Sequence, residues 1–202
     1  MAEAAKKTRQ RLRKSDRRRL IEDAAAELFA HNGYGAAKLA EIAAAAGVTK
    51  QLLYQHFGSK QQLYLALLAR HRDGLLGRLA VGMARPASFE ERLQQTMEGW
   101  FAYFEENPHA AAVLFRDPGA GGEVTAMLEE NHATARGLMI ALVRAEPDLE
   151  VRDDLLEPLM EYLRSAGGGL ALWWADHPDV PRAVVVEAAV TVLIGGLERA
   201  SR

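Results

Sequence analysis

The stretch Ala46-Gly47-Val48-Thr49-Lys50-Gln51-Leu52-Leu53-Tyr54-Gln55-His56-Phe57 decides the fold. Upstream of it, Lys38 to Ala46 carries Leu39, Ile42, Ala43 and Ala46 at helical spacing, so a short helix ends where Gly47 begins a sharp reversal. Thr49 is a good N-cap for a second short helix, Thr49 to His56. The period of that helix divides it: Val48, Leu53 and Phe57 turn inward, leaving Lys50, Gln51, Tyr54, Gln55 and His56 towards the exposed side. Two helices this short, joined by Ala46-Gly47-Val48, match the helix-turn-helix pattern. Before them, Leu20, Ile21, Ala24, Ala25, Leu28 and Phe29 share one face of a helix from Asp16 to His31, stopped by Asn32-Gly33.

Downstream the chain continues as helix. Ser59 and Gln62 form a capping box that opens a longer helix with Leu63 and Leu67 on its apolar face. Ser88 and Glu91 repeat the device before a stripe of Leu93, Met97, Trp100, Phe101 and Phe104, which Asn107-Pro108 ends. A loop follows from Asp117 to Gly122, and then helices over Glu123 to Ala145, Asp153 to Ala175 and Pro181 to Ala200. Asp148, His177-Pro178 and Pro181 supply the breaks. No stretch alternates polar and apolar residues long enough for a strand. The expected class is all-α, with a basic arm at residues 1–15, a three-helix helix-turn-helix unit at 16–60 and a helical bundle at 61–202.

The 202 residues are enough for a sizeable core. With no cysteine, both a disulfide scaffold and thiolate chemistry are excluded. No apolar run reaches the roughly 18 residues of a membrane span, and no signal-peptide core follows the basic start, so the expected compartment is the cytoplasm. The net charge of −2 hides an asymmetry. Residues 1–60 hold 12 basic and 6 acidic groups, a net of +6, and residues 61–202 hold 13 and 21, a net of −8. A basic block on an acidic body suggests a polyanion-binding end, for nucleic acid or anionic membrane; the alternative is a solvated tail.

The outward face of the second short helix favours nucleic acid. A Gln amide can bond an adenine edge bidentately, and Lys can reach guanine O6 and N7. Tyr, His and Thr can hold phosphates. The run Ala24-Ala25-Ala26-Glu27-Leu28-Phe29-Ala30-His31-Asn32-Gly33-Tyr34, followed by Ile42-Ala43, Ala46-Gly47-Val48, Leu53-Tyr54, His56-Phe57, Ser59-Lys60 and Leu63, resembles the DNA-binding domain of TetR-family transcriptional regulators. The resemblance covers about fifty residues. It implies an all-helical homodimer whose N-terminal module reads an operator and whose C-terminal body dimerises and takes a small ligand. Carried over by position, Thr49, Tyr54, His56 and Lys60 hold phosphates, and Lys50, Gln51 and Gln55 read bases. Tyr54 could instead pack its ring on the helix pair, and His56 could bond only the backbone. Ala37 and Lys38 stand where the family commonly has a capping Thr, leaving Lys38 a phosphate contact by charge alone. Gln51 and Leu52 replace a small residue followed by a hydroxyl, so the operator does not transfer from relatives. The arm from Lys6 to Lys14 reaches a minor groove or lies disordered beside the backbone.

Too few base pairs are read by one such unit for a unique site, so a homodimer on a partly palindromic operator is expected. The last two helices are its candidate interface, with Gly167-Gly168-Gly169, Ala188-Ala189 and Gly195-Gly196 allowing close approach and Leu159, Leu163, Leu170, Val185, Val192 and Leu193 giving apolar area. Internal packing is the alternative. For the small-molecule effector that the resemblance implies, Trp100, Phe104, Phe115 and Met127 would form apolar walls, and Arg116, His132 or Tyr103 would orient a polar group. Release from DNA makes repression the expected sign. Two other classes compete. A helical-bundle enzyme is suggested by Glu129 and His132 at di-iron spacing, but the second pair needed, Glu106 and His109, crosses Pro108. There is no zinc, phosphate-loop or serine-nucleophile motif, so neither catalysis, a cofactor nor a metal is expected. A basic peripheral membrane protein would prefer liposomes to duplexes at equal salt; no membrane partner is expected.

Overall fold

The computed structural model describes residues 13–83 (Met83 in its backbone only), 87–119, 122–147 and 149–201. The basic arm through residue 12, Ala120 and Gly121 of the expected loop, and the break expected at Asp148 lie outside the described residues. Among the described residues there are nine helices and no strand: α1 Lys14–Ala36, α2 Leu39–Ala45, α3 Lys50–Phe57, α4 Lys60–Met83, α5 Phe89–Glu106, α6 Ala110–Phe115, α7 Gly122–Arg144, α8 Asp153–Ala175 and α9 Arg182–Ala200. Helices α1 to α3 are called the head below, and α4 to α9 the body.

Most helix boundaries follow the local chemistry. Ser88 Oγ accepts from Glu91 N–H, and the Glu91 carboxylate accepts in return from Ser88 N–H, closing the box expected at α5. Ser59 Oγ accepts the Gln62 N–H at 3.1 Å in the first turn of α4. Helix α1 departs from expectation at both ends. It starts at Lys14, so the last two residues assigned to the arm are helical, and it bends at Gly33 before ending at Ala36. Gly33 sits at φ 74, ψ 162, a conformation essentially restricted to glycine.

The face of α1 is also rotated from the one expected. Ile21, Ala25, Ala26 and Phe29 are buried, but Leu20 is exposed and Glu22 takes an interior place. That carboxylate is tolerated because Arg18 donates to it at 2.8 Å and Arg70 of α4 at 3.3 Å. Helix α6 was not expected at all. Its sequence, Ala110-Ala111-Ala112-Val113-Leu114-Phe115, has no capping side chain, and four of its six residues are buried, so no amphipathic period marks it.

One core runs through head and body. Ile21, Ile42, Leu53, Leu63, Leu67, Leu68 and Phe101 are fully buried in it. A second cluster, Val143, Leu156, Met160, Leu163 and Leu197, ties α7, α8 and α9 together. Within the body α4 and α5 pack closest where side chains are smallest. A Cβ added at Gly74 would lie 2.7 Å from the Tyr103 ring, and one at Gly82 would lie 2.8 Å from the Thr96 backbone.

Candidate nucleic-acid interface

Helix α3 is held from behind and bare in front. Leu53 is fully buried, Phe57 nearly so, and Val48 packs half-buried beside them. Burying two such side chains supplies roughly 3 to 6 kcal/mol. Gly47, at φ 64, makes the turn that brings α2 against them. Thr49 Oγ1 accepts the Leu52 N–H at 3.2 Å, which caps α3 and leaves the hydroxyl proton free to donate. Lys50, Gln51, Tyr54 and Gln55 are exposed together with Thr49 on the opposite side. The Lys50 ammonium lies 5.8 Å from the centroid of the Tyr54 ring. The Tyr54 side chain is therefore outside the core, with 44% of its surface exposed.

Around this face the charge is positive. Arg18 lies over the Phe57 ring at 4.8 Å, which places a guanidinium beside the C-terminal end of α3. His56, half-buried, has its pKa lowered first by burial and then by Lys14, Arg17 and Arg18, so it is neutral at pH 7. Lys38 is exposed at the start of α2, 3.7 Å from Glu41, and caps nothing with its side chain. Lys60 is half-buried at the start of α4. Its ammonium donates to the carbonyls of Gly35 at 3.0 Å and Ala37 at 2.9 Å, and sits 4.6 Å from the centroid of the Tyr34 ring.

The residues expected around an effector are only partly together. Trp100, Phe104 and Phe115 form one aromatic group, with centroids 5.5 to 5.9 Å apart. Tyr103 faces α4 instead, where its hydroxyl meets His71 Nδ1 at 2.9 Å. Arg116 reaches the head and donates to the Ala30 carbonyl at 2.6 Å. Met127 and His132 are on α7, Met127 packed against the main core. Arg72 links Met127 Sδ and Asn131 Oδ1. Besides His71 Nε2, three buried polar atoms of the body have no hydrogen-bond partner among the described residues: His132 Nε2, on a residue expected near an effector, and Gln95 Oε1 and Asn131 Nδ2, which sequence reasoning missed. No sequence pattern flags Gln95 or Asn131; Asn131 adjoins His132. A cleft of about 270 Å³ lies elsewhere, at the seam of head and body between Arg19, Asp23, Arg70, His71, Glu106 and His109.

At the far side of the body, Leu163, Val185 and Gly168 are buried within the chain. Tyr162, Trp173, Val184 and Val192 of the same two helices are exposed. Glu106 ends α5 and His109 precedes α6, so the second Glu-x-x-His pair is not helical. No group of three or more metal-ligating side chains occurs among the described residues, and no helix there is long and apolar enough to cross a membrane.

The family profile described as bacterial regulatory proteins, tetR family, matches residues 21–67, which span most of α1, all of α2 and α3 and the start of α4. The HTH-type transcriptional activator FasR of Mycolicibacterium smegmatis is 38% identical over 198 residues, covering 93% of this chain and 85% of that one. The chain belongs to the TetR family. A second TetR-family relative, the HTH-type transcriptional repressor KstR2 of Rhodococcus jostii, is 28% identical over 193 residues, with 91% and 92% covered. A TetR-like transcriptional regulator from Rhodococcus sp. RHA1 has the same fold, with a TM-score of 0.77 at 21% identity over 93% of this chain and 99% of that one. As a TetR-family member the protein is a DNA-binding, ligand-responsive transcriptional regulator.

Proposed function

We propose that two copies, paired through α8 and α9, set their α3 helices in successive major grooves of a partly palindromic operator. The observation that carries this is the face of α3, where Thr49, Lys50, Gln51, Tyr54 and Gln55 are exposed together while Leu53 and Phe57 anchor the helix. Lys50, Gln51 and Gln55 read base edges; Lys38, Thr49, Tyr54, His56 and Lys60 hold phosphates. The exposed apolar side chains of α8 and α9 support the pairing, since water-facing Tyr162 and Val192 lose unfavourable hydration when covered. Selection of bound duplexes from a random pool tests the reading. It should recover a palindrome whose half-sites lie about 34 to 36 Å apart, and recovery of no preferred sequence would refute it.

The body holds a small apolar or amphipathic effector beside Trp100, Phe104 and Phe115. The unpartnered Gln95, Asn131 and His132 atoms favour an occupant, because buried polar atoms are rarely left unbonded. Burial, followed by Arg164, lowers the His132 pKa and keeps it neutral, suited to an uncharged polar group. The effector favours a spacing of the two heads that no longer fits the grooves, and repression is thereby relieved. Activation is the second reading, favoured by the name of the 38% identical relative. A promoter fused to a reporter separates the signs. The protein acts in the cytoplasm, without turnover or cofactor.

A further inference from the structure

We propose that Arg18 is a phosphate ligand at the C-terminal end of α3, and that the buried Glu22 is the positioning residue that orients it. The inference rests on the DNA-binding reading above and adds one contact to it. Arg18 and Glu22 stand one turn apart on α1. The two oxygens of the Glu22 carboxylate are divided between two helices: Oε1 accepts from Arg18 Nε at 2.8 Å, and Oε2 accepts from Arg70 Nη1 of α4 at 3.3 Å. Arg70 is itself tied to Asp23 at 2.7 Å, which steadies the carboxylate from behind.

The guanidinium so held is oriented without being used up. It lies 4.8 Å from the ring centroid of Phe57, the last residue of α3, where cation–π attraction adds to the Glu22 bond. Its Nη groups carry no hydrogen bond among the described residues, and 49% of the Arg18 side chain is exposed, against 6% for Glu22. A free arginine gives up the freedom of a long side chain to meet a phosphate; one already braced gives up less. The position calls for such a cation. Helix α3 presents carbonyls at this end, and their partial negative charge repels an anion. His56, assigned to phosphate just beside it, is neutral at pH 7 and supplies no charge.

The test measures affinity for the selected operator across a salt series in Arg18→Ala, Glu22→Gln and the double variant, with denaturant titration of each free protein. Arg18→Ala should weaken binding and make log affinity against log salt shallower by about 0.9 for each half-site, as one lost phosphate contact requires. The double variant has the net charge of the wild type and leaves no carboxylate short of a partner, so the shallower slope should persist there. A wild-type slope in it would show that Arg18 acts through net charge alone, and overturns the ligand role. Glu22→Gln removes a negative charge beside a polyanion, and by charge alone it should tighten binding. Positioning predicts the opposite sign, about fivefold weaker binding with the slope unchanged, and tighter binding overturns it. In the Arg18→Ala background Glu22→Gln should cost no further affinity; a second loss of the same size places the action of Glu22 in the fold, and also overturns it. Arg18→Lys keeps the charge without the planar fork, so it should hold the slope and lose affinity about as Glu22→Gln does; full affinity there counts against positioning. If the wild type selects no duplex, the DNA reading falls and takes this contact with it. If it selects one and every variant matches it, the contact alone falls.

Discussion

The exposed residues of α3 are polar, Lys50, Gln51 and Gln55 with the phenol of Tyr54, whereas α8 and α9 expose the large apolar side chains Tyr162, Trp173, Val184 and Val192 among their polar ones. Both surfaces face water in the single chain, but for different physical reasons. A groove of DNA offers donors, acceptors and phosphates, so a face meant for it remains well hydrated until it binds. A second protein copy offers hydrocarbon, so a face meant for it is costly to hydrate while alone. In the proposed assembly the head is complete in one chain and reads by chemistry, whereas the body is completed by a second copy.

The largest expected effect probes the body's interior. His71 is 3% exposed, and its pKa is lowered to about 4 by burial first and then by Arg70. In the unfolded chain it titrates near 6.5, so between about pH 6.5 and 4 the unfolded state binds a proton that the folded state refuses. Stability is complete above that window and falls by about 3 kcal/mol on crossing it downwards. In denaturant titrations His71→Gln should lose this part of the acid dependence, and an unchanged wild-type-like fall would show that His71 is not responsible.

Next comes the apolar surface. Tyr162→Asp with Val192→Asp should leave each chain folded but monomeric in sedimentation, and operator affinity should drop about 100-fold because two half-sites are no longer read together. A dimer that persists would move the interface away from α8 and α9. Gln51→Ala comes third. It should lose about tenfold at one base position and relax the preference there, without altering the salt slope. Equal loss on every duplex would make Gln51 a backbone contact. The smallest effect belongs to His56. A phosphate partner raises its lowered pKa, so the complex takes up a proton and binds about threefold tighter as pH falls from about 8 to 6. His56→Gln should abolish that trend, and a trend that survives would assign it to another group.

The head was more legible in the sequence than the body. Leu53, Phe57 and the exposed side chains between them follow from a helical period anchored by the turn signal Gly47, with Thr49 as a cap. The errors there came from charge. Glu22 occupies an interior place because Arg18 and Arg70 converge on it, and Arg70 is 48 residues away, beyond any local pattern. The partners of Lys60 at Gly35 and Ala37 are equally out of reach of a local pattern, since they are backbone atoms that no residue type announces. In the body α6 lacked both cap and period. The expected effector residues divided because Tyr103 and Phe104, adjacent on α5, point about 100° apart, one towards His71 and the other towards Trp100 and Phe115.

Helix α4 begins at Lys60 and continues for 24 residues, a rod of about 36 Å. Where Gly74 and Gly82 let α5 come against it, the close packing resists sliding, so a tilt of one helix would carry the other with it. Tilting such a beam by about 5° sweeps its far end through about 3 Å, comparable to the reach of one hydrogen bond. A disturbance too slight to repack the body would thus be magnified at the end where Lys60 bonds the α1 to α2 turn.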